Sequence, residues 1–256
     1  MILEGFKLDK KVAIVTGSST GLGQGMATAL AEAGADIVGV DYVADQKDTA
    51  ARIQATGRKF MPYQMDLIHA SVESLSKLVA DVVKEFGHVD ILINNAGIIR
   101  RNDADKFTEA EWDDVMDINL KHLFFLTQAV GRQFIAQGKG GKIVSVASML
   151  SYQGGIRTIS YTASKSGVKG ITMTLANEWA KYGINVNAIA PGYMATNNTK
   201  ALREDEVRAG QILERIPAAR WGTPADVAGA AVFLCSDNAS YINGFTLAVD
   251  GGWLAR

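Results

Sequence analysis

The chain has 256 residues, of which 48% are hydrophobic and 21% are charged, and its formal net charge is −1. This composition suits one large core, and it shows neither the basic stripe of a nucleic-acid-binding protein nor the ~18-residue apolar run of a membrane-spanning helix. The amino terminus has no apolar signal-peptide core and the single cysteine, Cys235, excludes a disulfide framework, so we expect a cytoplasmic protein in which Cys235 is buried.

Short apolar runs alternate along the chain with longer segments of helical periodicity. The predicted strands comprise residues 12–15, 36–40, 59–64, 91–93, 142–146, 184–189 and 246–249. The predicted helices comprise residues 24–33, 49–56, 71–86, 109–137, 162–182 and 224–236. The polar segment 193–215 is expected to be a loop that closes over a ligand. This alternation predicts an α/β fold: a single doubly wound, Rossmann-like domain with a mostly parallel seven-stranded sheet and helices on both faces.

A glycine-rich turn, Thr16–Gly23, follows the first predicted strand and reads TGSSTGLG. Glycines permit a tight turn and close approach of backbone N–H groups to a pyrophosphate, and the start of the next helix adds partial positive charge. A plain tight turn also explains such glycines, but the position between a strand and a helix favours dinucleotide binding. The expected contacts are Gly17, Ser19, Thr20, Gly21, Leu22 and Gly23.

The second predicted strand is followed by Asp41, twenty residues past Gly21. A carboxylate there accepts hydrogen bonds from the adenosine ribose hydroxyls and repels a 2′-phosphate. Because neither Ser18 nor Tyr42 supplies a cation, the pattern favours NAD over NADP. Asp66 follows the third strand and is expected to hydrogen-bond the adenine amino group, although an aspartate here also suits a turn or helix cap.

Tyr161 and Lys165 lie four residues apart, so they share one face of a predicted helix. A phenol with a pKa near ~10 is a poor base at neutral pH, and we expect the neighbouring ammonium to lower that pKa. Ser148, thirteen residues before Tyr161, is expected to hydrogen-bond the reacting oxygen of a substrate. An isolated YxxxK pattern is usually a surface pair, and it is the combination with Ser148 and the glycine turn that favours catalysis.

These motifs, together with Asn94–Gly97 (NNAG) and Pro191-Gly192, resemble the short-chain dehydrogenase/reductase family over essentially the whole chain. The resemblance implies that Tyr161 exchanges a proton with the substrate, that Lys165 holds the nicotinamide ribose, and that Asn119 holds a water linking the lysine to solvent. It also implies cofactor contacts by Leu67, Asn95, Ala96, Gly97, Pro191, Gly192, Met194 and Thr196, in addition to Tyr161 and Lys165.

The same resemblance implies a cofactor-binding half at about residues 10–100 and a catalytic, substrate-binding half at about residues 101–256. It further implies a homotetramer formed through segments 109–137 and 162–182 and the carboxyl-terminal end. Trp253 and Leu254 are expected either to pack on a partner subunit or to close their own core.

Basic side chains near the predicted centre indicate the substrate. Arg101 lies just after the NNAG segment, and Gln153 and Arg157 lie between Ser148 and Tyr161. Guanidinium groups suit carboxylates, so we predict a small anionic sugar acid, although each arginine also suits a surface position. The three histidines show no metal-ligand spacing.

Several functions are compatible with this pattern. One is a related short-chain reductase with the same chemistry, such as gluconate 5-dehydrogenase or 3-oxoacyl carrier-protein reductase. Another is a non-catalytic dinucleotide sensor on the same fold, which would have no need of Tyr161, Lys165 and Ser148.

Overall fold

A computed structural model describes residues 1–256. The seven strands are β1 Val12–Thr16, β2 Asp36–Asp41, β3 Phe60–Gln64, β4 Ile91–Asn94, β5 Gly141–Val146, β6 Ile184–Pro191 and β7 Thr246–Val249. They form one sheet of order β3-β2-β1-β4-β5-β6-β7 in which every neighbouring pair is parallel. The predicted fold class is therefore confirmed, and the sheet is wholly rather than mostly parallel.

Helical crossovers connect the strands. The helices are α1 Gly21–Glu32, α2 Lys47–Ala55, α3 Val72–Phe86, α4 Glu109–Met116, α5 His122–Gln137, α6 Ile159–Trp179, α7 Lys200–Glu204, α8 Glu206–Arg215 and α9 Pro224–Cys235. Two apolar clusters cover the sheet, one built from α1, α2 and α9 and the other from α3, α5 and α6. β1 and β6 are buried along their whole length, as expected of strands covered on both faces.

The strand order reverses between β1 and β4, because β2 and β3 extend the sheet on one side and β4 to β7 extend it on the other. In open α/β sheets, ligands bind at the carboxyl ends of the strands beside such a reversal. The glycine turn, the NNAG segment and Ser148 all leave the carboxyl ends of strands at this edge.

Two segments differ from the predictions. The expected helix 109–137 is divided by a π-helical turn at Asp117–Lys121, where the His122 N–H bonds to the Asp117 carbonyl. The expected loop 193–215 contains α7 and α8. α8 forms because Asp205 caps its amino end by accepting from the Arg208 N–H (3.0 Å), and because Ile212 is buried.

Cys235 is buried at the end of α9, and burial raises the pKa of its thiol to about 12. No helix is both long and apolar enough to cross a membrane.

Candidate active site

The glycine turn between β1 and α1 is held from the neighbouring strand. Gly17 and Gly21 adopt positive φ values of 66° and 60°, which glycine adopts without strain. A Cβ atom on Gly23 would overlap the Gly17 carbonyl oxygen. The Asn95 side-chain amide donates to the carbonyls of Thr16 (2.9 Å) and Gly17 (3.2 Å), so part of the NNAG segment fixes the shape of this turn.

The turn fits the phosphate and ribose portions of a dinucleotide. The Ser19 hydroxyl is buried and has no hydrogen-bond partner in the protein, which leaves a polar atom for a ligand. Asp41 is 8% exposed, and its carboxylate accepts from the Ser19 N–H at 3.0 Å. The space above Gly21 is open, and the nearest atoms a Cβ there would meet, at 3.7 Å, belong to Thr196.

The other predicted cofactor residues border this turn or the strands beside it. Asp66 is exposed, and its carboxylate accepts from the Ile68 N–H at 2.9 Å, so it caps a turn. Leu67 is buried, and its carbonyl accepts from a ring nitrogen of His122 at 2.7 Å. The remaining predicted residues lie at or after the ends of β4 and β6, namely Ala96, Gly97, Pro191, Gly192 and Met194.

Tyr161, Ser148 and Lys165 are brought together by the start of α6 and the end of β5. The Ser148 hydroxyl accepts from the Leu150 N–H at 3.1 Å and is close enough to the Tyr161 phenol to lower the pKa of that phenol. The Lys165 ammonium is 5.7 Å from the centre of the Tyr161 ring and donates to the Val146 carbonyl at 2.6 Å. Lys165 has no carboxylate partner, and burial lowers its pKa to about 8.

The pKa of Tyr161 is raised, because burial disfavours the phenolate more than its neighbours stabilise it. The groups that lower this pKa are the Ser148 hydroxyl and the charge of Arg101. Lys165 is not among these groups in the protein alone, and its predicted effect on the Tyr161 pKa with a bound cofactor stays a prediction. The lysine instead directs its ammonium towards the Val146 carbonyl.

Asn119 lies in the π-helical turn, fully buried next to Lys165. Its side-chain oxygen accepts from the Ile98 N–H (2.9 Å), and its amide group donates to the Ile98 carbonyl (3.0 Å) and the Ser164 hydroxyl (3.2 Å). Gly97 separates the two side chains, since a Cβ there would be 2.8 Å from the Asn119 oxygen and 3.6 Å from the Lys165 nitrogen. Asn119 thus joins the loop after β4 to α6.

The three predicted substrate side chains have different surroundings. Arg101 is exposed, donates only weakly to the Asn198 carbonyl (3.4 Å), and is the cation that acts on Tyr161. Arg157 instead pairs with Asp103, with 3.2 Å between its Nε and the carboxylate.

Gln153 accepts from the Trp253 indole N–H at 3.2 Å and from Arg215 at 3.4 Å. Arg215 is not among the residues predicted from the sequence, because nothing in the pattern of α8 indicates that this residue lies beside the loop after β5. Trp253 is 4% exposed and packs within its own chain.

The glycine turn has the shape that a dinucleotide requires, and it meets a half-buried tyrosine with a buried serine and lysine at the edge of a parallel sheet. Together these features define a nicotinamide-dependent oxidoreductase acting on CH–OH groups. A family model described as enoyl-(acyl carrier protein) reductase matches residues 17–254. The chain belongs to the short-chain dehydrogenase/reductase family.

Two curated relatives, both named 2-dehydro-3-deoxy-D-gluconate 5-dehydrogenase, cover all of this chain and are themselves covered completely. The protein from Escherichia coli is 59% identical and that from Dickeya dadantii is 61% identical. A solved structure from Agrobacterium tumefaciens, provisionally named 2-deoxy-D-gluconate 3-dehydrogenase and containing NADP, is 52% identical with a TM-score of 0.89 over 98% of this chain and 99% of that one. A gluconate 5-dehydrogenase from Burkholderia cenocepacia, solved with NADP and tartrate, is 36% identical with a TM-score of 0.95 over 100% of both chains.

Proposed function

We propose that this protein interconverts 2-keto-3-deoxygluconate and 2,5-dioxo-3-deoxy-gluconate with NAD, as a cytoplasmic enzyme in the breakdown of uronate-containing polysaccharides. The curated relatives of that name, 59% and 61% identical over their full length, support this substrate. The sequence stretches that resemble that enzyme are IRR at 99–101, ASMLSYQGGIR at 147–157, NEWAK at 177–181, APGYMATNN at 190–198 and AVDGGWLAR at 248–256.

The observation that carries the proposal is that the Arg101 cation is close enough to the half-buried Tyr161 to lower the pKa of its phenol. The positive charge of Arg101 would attract an anionic hydroxy acid towards the phenol, so that the substrate alcohol can reach Tyr161. The loop around Arg101 therefore supplies a charge that attracts the substrate, and α6 supplies the group that exchanges its proton.

In the proposed mechanism, Tyr161 accepts the proton of the substrate alcohol during oxidation and returns it to the carbonyl oxygen during reduction. Ser148 hydrogen-bonds the same oxygen and stabilises its developing charge. Lys165 holds the nicotinamide ribose hydroxyls, and Asn119 holds a water that links the lysine to solvent. A bound dinucleotide supplies the acceptor or donor of the hydride.

We propose NAD as the cofactor because Asp41 presents a carboxylate where the adenosine ribose would lie. Ser18 beside it is fully buried and hydrogen-bonds the Gln46 side chain at 2.8 Å, so no cation offsets the carboxylate there. The related structures from Agrobacterium and Burkholderia contain NADP, which makes cofactor preference a question for experiment.

We also propose a homotetramer that associates through α4–α5, α6 and the carboxyl-terminal end, with a cofactor-binding half before about residue 100 and a catalytic half after it. Exposed apolar side chains support these surfaces: Trp112 on α4 (38% exposed), Ile135 on α5 (39%) and Met173 on α6 (45%). The molecular mass by light scattering tests the assembly, and a monomer would refute it.

Gluconate 5-dehydrogenase is the second candidate, since an Escherichia coli 5-keto-D-gluconate 5-reductase is 40% identical over 97% of this chain. Initial rates with a panel of sugar acids distinguish the two. We expect turnover of 2-keto-3-deoxygluconate with NAD and none of gluconate. Turnover of gluconate alone would refute the first candidate in favour of the second.

A further inference from the structure

Two neighbouring side chains determine the orientation of the Gln153 side-chain amide. Its oxygen receives the Trp253 indole N–H at 3.2 Å and the Arg215 guanidinium at 3.4 Å. Both groups can only donate, so the side-chain oxygen must face them and the NH2 group must face the other way. No protein acceptor contacts that NH2 group, so Gln153 presents free donors.

Trp253 is held firmly enough to maintain this arrangement. Its ring packs edge-on against Tyr193, with centroids 4.9 Å apart, and the Arg215 guanidinium stacks on it at 4.0 Å. Trp253 also belongs to a buried apolar cluster that includes Met149, the residue directly after Ser148. The cluster therefore joins α8 and the carboxyl-terminal segment to the wall of the catalytic site.

Arg215 differs from two other arginines near the site in its lack of a carboxylate partner. Arg100 pairs with Asp114 at 2.8 Å, and Arg157 pairs with Asp103 at 3.2 Å. Arg215 makes its only side-chain hydrogen bond with the neutral Gln153 amide. A guanidinium that lies over an aromatic ring and has unused N–H groups is available to bind an oxyanion.

We propose that Arg215, together with the Gln153 amide that it and Trp253 orient, binds the carboxylate end of the substrate. This inference rests on the proposed function and deepens it, because it assigns substrate specificity to α8 and the carboxyl-terminal segment. Arg215 takes the role that the sequence pattern gave to Arg157. Trp253 acts as a positioning residue that fixes the direction of the amide.

The test measures KM and kcat for 2-keto-3-deoxygluconate, and KM for NAD, in four variants of the proposed site, with Lys84→Gln and Arg157→Gln for comparison. Arg215→Gln should raise the sugar-acid KM about tenfold or more and leave the KM for NAD within about twofold. The sugar-acid KM of Arg215→Lys should lie between those of the unaltered enzyme and Arg215→Gln, because lysine keeps the positive charge but lacks the planar guanidinium with its paired N–H donors. Gln153→Glu keeps an acceptor for Trp253 and Arg215 but replaces the free donors with a repelling carboxylate, so it should raise the same KM as strongly.

Trp253→Phe keeps the ring and removes the N–H donor, so a rise in sugar-acid KM of about threefold with unchanged kcat is expected. Lys84→Gln, an exposed charge removal on α3, should leave all constants unchanged. A sugar-acid KM within twofold of the original in Arg215→Gln, with a tenfold rise in Arg157→Gln, would overturn the inference.

Turnover by the unaltered enzyme tests the proposed function separately. If another carboxylate-bearing sugar is the substrate, the proposed function fails, and the KM ratio between Arg215→Gln and the unaltered enzyme on that sugar still decides this inference. A neutral substrate whose KM does not respond to Arg215→Gln would overturn both.

Discussion

Asp41→Asn isolates the contribution of one negative charge to the proposed cofactor preference. The asparagine keeps the size of the side chain and an oxygen that can accept from the Ser19 N–H, which now lies 3.0 Å from the carboxylate. The variant should therefore preserve the glycine turn while removing the repulsion of a 2′-phosphate. Thermal unfolding would verify that the turn is intact.

The expected magnitude follows from the burial of Asp41, which is 8% exposed and so weakly screened by salt. Two unit charges about 5 Å apart repel by about 3 kcal/mol at an effective dielectric constant of about 20. At about 1.4 kcal/mol per factor of ten, this corresponds to roughly 100-fold discrimination against NADP. Use of NAD should fall about tenfold, because the ribose loses charge-assisted hydrogen bonds.

The assay compares kcat/KM for NAD and NADP at saturating sugar acid. The unaltered enzyme should prefer NAD, and Asp41→Asn should reduce the NAD-to-NADP ratio by about 100-fold or more. Asp45→Asn is the matched control, because it removes an exposed carboxylate from the same segment. An unaltered enzyme that uses both cofactors equally, or a variant with the original ratio, would refute the electrostatic reasoning.

Three further predictions concern the catalytic cluster and the glycine turn. Burial lowers the Lys165 pKa from 10.5 to about 8, so the unfolded chain binds the extra proton between these values and the folded enzyme gains stability as pH rises through this window. Lys165→Met lacks this gain, so the free energies of unfolding of the unaltered protein and the variant should diverge by about 2 kcal/mol between pH ~8 and ~9.5. Denaturant unfolding measures both free energies, and parallel dependences on pH would contradict the prediction. Arg101→Gln removes a cation that lowers the Tyr161 pKa, so the increase of the oxidation rate with pH should move to higher pH. The sugar-acid KM should also increase about tenfold. An unchanged pH dependence of the oxidation rate would exclude Arg101 from the site. Gly23→Ala should raise the KM for NAD at least about tenfold and lower the melting temperature, because its Cβ overlaps a backbone carbonyl, while Gly229→Ala, with open space around it, is the control that should do neither.

The sequence predicted the sheet well because its central strands are buried on both faces and are mostly apolar, whereas the outer strands Phe60–Gln64 and Thr246–Val249 are only partly buried. Val12–Thr16 is the clearest of the buried strands. Glycines in a turn and a tyrosine four residues before a lysine are also local patterns, and they predict cofactor-binding and proton-transfer groups without any knowledge of long-range packing.

The features that could not be predicted from the sequence depend on contacts between segments that are distant along the chain. Arg157 and Arg215 carry the same charge, and only the folded chain distinguishes them. Arg157 forms an ion pair with Asp103, whereas Arg215 donates a hydrogen bond to Gln153 and lies over the Trp253 ring. α8 was predicted as a loop because its charged residues obscure the single buried Ile212. The pKa of Tyr161 likewise depends on burial, which spacing along a helix does not report.

The π-helical turn at Asp117–Lys121 holds one more residue than an α-helical turn, because the His122 N–H reaches back five residues rather than four. Deleting a single residue there would produce a regular helix running from α4 into α5. That change would rotate Asn119 by about 100° relative to α5, away from Ile98 and Ser164. The enzyme therefore keeps a helix with poorer hydrogen bonding, and a more regular backbone at this point would come with the loss of the loop contact beside Lys165.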